Sequence, residues 1–295
     1  MIQRLAIIGV GLIGGSLAQA LRNSHYVKEI VGCGRGKNNL EKALELGVID
    51  SYTHDPAEAV VDADMIVVAT NLRSIPGVFA AIAPVLSDQA LITDVGSAKT
   101  EVIRAAERHL GPAFTRFIPG HPIAGTENSG VEASFAELFI DHRVILTPTL
   151  KNAAQDIQRI RDMWEATGAL VTQMTEQAHD EVLAATSHLP HMVAFALVDC
   201  LASMDESAAI FDFAAGGFRD FTRIASSNPP MWSDIALENR DALLRQLTAF
   251  ETTLSTLKTC LENKDETSML AIFERAKAAR DAIEPTKKTL EKKSP

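Results

Sequence analysis

The sequence predicts a mainly parallel α/β domain followed by an all-helical one. Two observations carry this. Short apolar runs alternate with amphipathic stretches up to about residue 174, and from about 175 onward strand signals stop. The runs are residues 5–9, 29–33, 65–69, 90–94, 114–118, 143–146 and 169–173. Strands separated by helical patterns of about ten residues or more imply βαβ units and a parallel sheet. In the second half, residues 176–202, 230–263 and 266–283 carry helical periodicity, broken at Ala215-Gly216-Gly217 and at Asn228-Pro229-Pro230. The expected division is 1–173 for the sheet domain and 174–295 for the helical one, with a Lys-rich tail at 285–295.

The first element decides the class of ligand. A strand pattern at Leu5-Ala6-Ile7-Ile8 runs into Gly9-Val10-Gly11-Leu12-Ile13-Gly14 and then into a helix pattern. In that context G-x-G-x-x-G is a dinucleotide fingerprint. Gly9 permits the tight turn, Gly11 lets backbone N–H groups approach a pyrophosphate, and Gly14 allows helix and strand to pack closely. Leu12 and Ile13 open the helix, whose free N–H groups and partial positive charge favour an anion. A Rossmann-type domain is therefore expected. The second strand, 29–33, ends in Gly34-Arg35-Gly36-Lys37. An NAD site usually carries an acidic residue about 20 residues past the fingerprint. Here that slot holds Gly34 and Arg35, and the arginine fork suits a 2′-phosphate. NADP is the favoured cofactor, with NAD the alternative if Arg35 is only a solvated loop cation.

Later elements place candidate chemistry beyond the carboxyl ends of strands, where open α/β sheets bind ligands. One is Asp94-Val95-Gly96-Ser97-Ala98-Lys99-Thr100; the next runs from Gly120-His121-Pro122 through Thr126 and Glu127 to Gly130. The helical half adds Ser187-His188-Leu189-Pro190-His191 and a loop-to-helix passage containing Arg219, Asp220 and Arg223. Each has a plain structural alternative. His121 could bond backbone, Ser97 could cap the helix beginning near Lys99, and Arg223 could pair with Asp220 three residues earlier. His188 and His191 have the spacing of a metal pair, but Pro190 separates them and no third ligand is evident, so no metal is expected.

Composition narrows the rest. The 295 residues are 46% hydrophobic, which excludes a wholly disordered chain. The net charge is −10; residues 285–295 carry four Lys and one Glu, so the remainder stands at −13. An acidic body repels nucleic acid and anionic lipid, so neither is an expected partner. No uninterrupted apolar run has the roughly 18–20 residues of a membrane span. The opening residues leave no room for a signal peptide. Cys33, Cys200 and Cys260 are too few and too scattered for a disulfide framework. A cytoplasmic protein is expected.

Taken together, the fingerprint, the Asp-Val-Gly-Ser-x-Lys loop, His121-Pro122-Ile123-Ala124-Gly125-Thr126-Glu127 with Ser129-Gly130, Leu146-Thr147-Pro148-Thr149, Ser187-His188-Leu189-Pro190-His191, Gly217-Phe218-Arg219-Asp220-Phe221-Thr222-Arg223-Ile224-Ala225 and Met231-Trp232 resemble the prephenate and arogenate dehydrogenase family. These are also called cyclohexadienyl dehydrogenases. The resemblance runs from Gly9 to about Ile283. It implies oxidative decarboxylation of a cyclohexadienol in tyrosine biosynthesis, turning prephenate into 4-hydroxyphenylpyruvate or arogenate into tyrosine. By the same resemblance His121 takes up the hydroxyl proton, and Ser97 contacts the hydroxyl, the histidine and the nicotinamide region. Arg223 holds a substrate carboxylate and His191 lies on the substrate side, with His188, Thr126 and Trp232 as pocket neighbours. Glu127, Asp220 and Arg223 are expected to couple at the pocket mouth. Prephenate is the favoured substrate name, with both turned over. A homodimer through the helical half is expected, and the chain is too short for a fused mutase or regulatory domain. Two rivals remain. One is another NADP-dependent hydroxyacid or imine dehydrogenase, which usually draws a lysine from the first long helix of its second domain; 176–202 has none. The other is a catalytically silent dinucleotide sensor.

Overall fold

A computed structural model describes residues 1–205 and 207–283; the Lys-rich tail expected at 285–295 lies outside them. The chain forms two compact units, Met1–Leu243 and a second that begins at Leu244.

The first unit opens as β1 (Ile2–Ile8), α1 (Leu12–Asn23), β2 (Val27–Cys33), α2 (Lys37–Glu45), β3 (Ser51–Thr53), α3 (Pro56–Ala59), β4 (Met65–Val68), α4 (Ile75–Ile82), β5 (Leu91–Asp94) and α5 (Thr100–His109). The five strands are parallel in the order β3-β2-β1-β4-β5, with Leu5 opposite both Ile30 and Met65, and Met65 opposite Leu91. This is the dinucleotide-binding order. β1 explains why these strands read as unbroken apolar runs: Leu5 and Ile7 enter one core cluster, Ala6 and Ile8 the other. A sheet buried on both faces has no polar side to alternate with.

A second sheet follows. β6 (Gly120–Pro122) pairs antiparallel with β7 (Arg143–Leu146), α6 (Ala154–Glu165) intervenes, and β8 (Leu170–Gln173) pairs parallel with β7. The sequence places a strand at 114–118. The structure instead has a 3₁₀ turn at Gly111–Arg116, launched by Gly111 at φ +52° and Pro112, and only Phe117 bridges to Ile92. The strand proper comes later and carries His121, expected in an extended loop.

Helices take over from α7 (Glu176–Leu183), through a π-turn (Ala184–His188) into α8 (Leu189–Ala202), α9 (Ser207–Asp212), α10 (Gly216–Thr222), α11 (Pro229–Glu238), α12 (Arg240–Asn263) and α13 (Glu266–Asp281). The π-turn ends two residues before Pro190, and Thr186, whose carbonyl the proline cannot bond, lies within it. A proline lacks the N–H for an i→i−4 bond and its ring crowds that carbonyl, and a wider turn accommodates both. Gly216 and Gly217 begin α10, and Asn228 caps α11 by accepting from Met231 N at 3.0 Å. The helical run expected at 230–263 is two helices, separated at Asn239. Taken as one helix, Glu176–Ala202 is long and apolar enough to cross a membrane by length and composition, which a search for unbroken apolar runs misses. It nonetheless carries the buried polar side chains His179, Asp180 and His188.

Gly14 holds β1 and α1 together. A Cβ there falls 2.2 Å from Gly9 O and 2.9 Å from Ile7 Cγ2. Backbone cannot yield as a side chain does, so Gly14→Ala is expected to destabilise the protein by about 1–3 kcal/mol, read from urea unfolding midpoints.

Candidate active site

The site lies at the carboxyl edge of the five-stranded sheet, where β1, β4 and β5 lead into Gly9, Ala69 and Val95. Gly9, at φ +107°, packs so closely on the next strand that a Cβ meets Ala69 O at 2.3 Å. Gly11 is different, since a Cβ there meets nothing within 4 Å. It caps α1 without a side-chain bond, and the first turn, with half-buried Leu12 and Ile13, holds no acidic residue. Nearby, Thr70 Oγ1 is buried without a hydrogen-bond partner. Uncapped N–H groups, open space over Gly11 and this unpaired hydroxyl fit a pyrophosphate. At the end of β2, Gly34 O is 2.7 Å from His54 Nδ1. Arg35 is exposed and joins no ion pair among the described residues.

One carboxylate joins the segments that carry Ser97 and His121. Asp94, at the end of β5, accepts from Gly96 N at 2.8 Å and Gly120 N at 3.2 Å. Ser97, half-buried, and His121, 8% exposed, each follow one of these glycines by one residue. Lys99, fully buried, pairs its ammonium with Asp94 and donates to Gly120 O at 2.9 Å. Burial pulls the Lys99 pKa down, against the attraction of Asp94.

His121 Nδ1 lies 2.8 Å from His179 Nε2, and His179 Nδ1 lies 2.8 Å from Asp180 Oδ1. Asp180 also accepts from Lys99 N at 2.8 Å and Thr100 N at 2.9 Å. Ser97 therefore does not cap α5; a carboxylate from α7 does. Burial chiefly, then the charges of His179, Lys99 and His188, hold the His121 pKa well below the histidine range. Burial also lowers His179, against its bond to Asp180. Burial works to raise Asp180, but the bonds from His179, Thr100 and Lys99 prevail and hold it low.

A second cluster adjoins. Asn239 Nδ2 donates to Asp180 O at 2.8 Å and reaches His188 Nδ1 at 3.1 Å. Burial and the charge of His179 push His188 down to about 4. His191 Nδ1 lies 2.9 Å from Ser187 O, and its ring stacks on Trp232 at 3.5 Å. His188 meets the same indole edge-on at 6.1 Å. His188 Nε2 and Trp232 Nε1 are buried with no partner. Arg223 pairs with Glu127 rather than with Asp220, which is exposed and in no ion pair among the described residues. Thr126, beside Glu127, is exposed.

The sequence alone assigns no role to Asp94 or Lys99 and does not single out His179, Asp180 or Asn239. The backbone N–H partners of Asp180, some 80 residues earlier, leave no local trace.

The nucleotide-binding domain of prephenate dehydrogenases matches residues 17–173, and their dimerization domain matches 175–275. The chain belongs to the prephenate dehydrogenase family. Within it, a cyclohexadienyl dehydrogenase of Zymomonas mobilis is 39% identical over 285 residues, spanning 95% of this chain and 96% of that protein. A prephenate dehydrogenase of Aquifex aeolicus, crystallised with hydroxyphenyl propionate and NAD+, superposes with a TM-score of 0.89 at 38% identity, covering 96% of this chain and 99% of that one. An arogenate dehydrogenase of Synechocystis gives 0.79 at 30%, covering 94% and 99%. The family fold is the one described above, a Rossmann-type parallel-sheet domain followed by helices, and its members are oxidoreductases that use NAD(P).

Removing one partner of a buried ion pair strands the other charge. Lys99→Met is expected to cost about 3–5 kcal/mol. Adding Asp94→Asn should recover part of that loss, and a double-mutant cycle in guanidinium unfolding measures it.

Proposed function

We propose that the protein catalyses the oxidative decarboxylation of prephenate to 4-hydroxyphenylpyruvate in tyrosine biosynthesis, and turns over arogenate to tyrosine as a second substrate. Family membership supports the reaction class. The observation that carries the site assignment is His121, a buried imidazole held uncharged at the carboxyl edge of the dinucleotide sheet.

The nicotinamide, when bound, supplies the hydride acceptor. Gly9, Gly11 and Gly14, with the first turn of α1, hold the pyrophosphate. His121 accepts the proton of the ring hydroxyl as hydride leaves the carbon that bears it; such acid–base help is typically worth about 10²–10⁴ in rate. The ring carboxylate departs as carbon dioxide, and aromatisation makes the step irreversible. Ser97, on the loop that Asp94 ties to His121, positions the hydroxyl. Arg223 binds a substrate carboxylate, exchanging Glu127 for it, and a charge-assisted bond of this kind contributes about 1.5–3 kcal/mol. His188 and Trp232 offer two unpaired polar atoms, and His191 a half-buried ring, to the polar end of the substrate. Thr126 stands beside Glu127 at the mouth.

NADP is the preferred cofactor in this reading. Its support is Arg35, in no ion pair among the described residues, just past the end of β2, where Gly34 stands in place of a carboxylate. The neighbouring acids are engaged locally: Asp55 caps α3 and Glu58 accepts from Thr53 Oγ1 at 2.6 Å. NAD is the alternative: Asp55 and Glu58 lie near enough to Cys33 to add to burial in pushing its thiol up to about 11, a negative influence at that end of β2.

A homodimer through the helical residues is supported by exposed Phe213, Phe221 and Leu237 in the first unit and Leu254, Leu270 and Phe273 in the second. The division at 173/174 is supported by β8 ending at Gln173, after which the described residues form only helices. A cytoplasmic setting suits a step of amino-acid biosynthesis.

Reduced-nicotinamide absorbance with prephenate and arogenate, each with NADP and NAD, tests the reading. Turnover is expected in the prephenate–NADP mixture first, and His121→Asn should lower kcat by about 10²-fold or more while cofactor affinity stays. Silence in all four mixtures overturns it. Arg35→Ser is expected to raise the KM for NADP roughly tenfold, about the loss of one charge-assisted bond, and to leave that for NAD alone.

A further inference from the structure

Sequence and family reading leave His179 and Asp180 without a function, yet His179 is fully buried, Asp180 nearly so, and they complete a linear chain to His121. We propose that His179 is a positioning residue that fixes the tautomer of His121, so that His121 Nε2 presents its lone pair to the substrate hydroxyl. The proposal rests on the reading of His121 as the proton acceptor.

The argument runs from the far end. Asp180 receives two backbone N–H bonds, from Lys99 and Thr100, and as a carboxylate it can only accept. The nitrogen of His179 that faces it, Nδ1, must therefore carry the hydrogen. A neutral imidazole has one N–H and one lone pair, so His179 Nε2 is an acceptor. At 2.8 Å from it, His121 Nδ1 must then be the donor. The other tautomer sets two lone pairs against each other at that distance. What remains is the lone pair on His121 Nε2.

The balance of the step is simple. The substrate O–H bond breaks and an Nε2–H bond forms on His121, which becomes an imidazolium. Its Nδ1–H already points at His179, and the Asp180 charge lies one ring further on. No proton moves beyond His121. The groups facing His121 are His179, Lys99 and His188, with Asp180 and Asp94 behind them. Of these the Lys99 ammonium opposes the imidazolium, which leaves the His179 lone pair as the bond that stabilises it directly. The arrangement parallels the orienting carboxylate of a Ser-His-Asp triad, with an imidazole spacer inserted.

The test compares His179→Phe, which removes the acceptor, with His179→Gln, whose carbonyl can accept from His121 while its amide donates to Asp180. Phe is expected to lower kcat by about 10²-fold or more with the KM for substrate and cofactor nearly unchanged. It should also move the acid limb of the kcat/KM pH profile to lower pH. Gln should restore most of the rate and the limb. Full rate in the Phe variant, an unmoved limb, or a Gln variant no better than Phe overturns the proposal. Nitrogen NMR of the intact, histidine-labelled protein reads the same point even if the Phe variant does not fold or the wild type is silent with both substrates. His121 is expected to be protonated on Nδ1 and bare on Nε2, and the reverse overturns it. Silence of the wild type with every substrate sinks the functional reading alone.

Discussion

The carboxylate of Asp180 accepts hydrogen bonds from Lys99 N, Thr100 N and His179 Nδ1, and through them the helical residues become part of the sheet domain's active edge. Helix N-termini leave N–H groups unsatisfied, and α5 has no cap of its own. The side chain that satisfies them comes from α7, so the same bonds seat the helix and aim the histidine beside it. Fold and chemistry share one anchor.

That anchor works alongside a second buried charge pair. Asp94 and Lys99 are fully buried, and burial of ions is costly unless every lone pair and proton finds a partner. Here Asp94 gathers two backbone N–H groups and Lys99 a backbone carbonyl. The cost is offset by bonds that hold the Ser97 and His121 loops to the end of one strand. The Lys99 ammonium also disfavours charging of His121, adding to the effect of burial.

What the sequence made legible was local. The glycine fingerprint, the apolar strands and His121 in its motif each show within a dozen residues, because a tight turn, a two-sided sheet and a short loop leave local patterns. What stayed hidden was set by distant partners. Nothing around Lys99 in the sequence marks it as buried; its partners are Asp94 and Gly120 O, five and 21 residues away. Residues 114–118 have strand composition, yet Gly111 and Pro112 impose a turn. Asp220 sits at the right spacing for Arg223, but Glu127, nearly a hundred residues earlier, takes the arginine.

The π-turn at Ala184–His188 has an effect on angular phase. On a plain α-helix eight residues advance about 800°, so Asp180 and His188 would point about 80° apart. A wider turn advances each of its residues less, and the five residues here bring His188 round towards the side that carries Asp180. Asn239 can then bond both, at Asp180 O and His188 Nδ1. One half of the helix thus meets His121 through His179 while the other carries His191 to Trp232. A single rod of chain serves two directions because its winding changes part-way along.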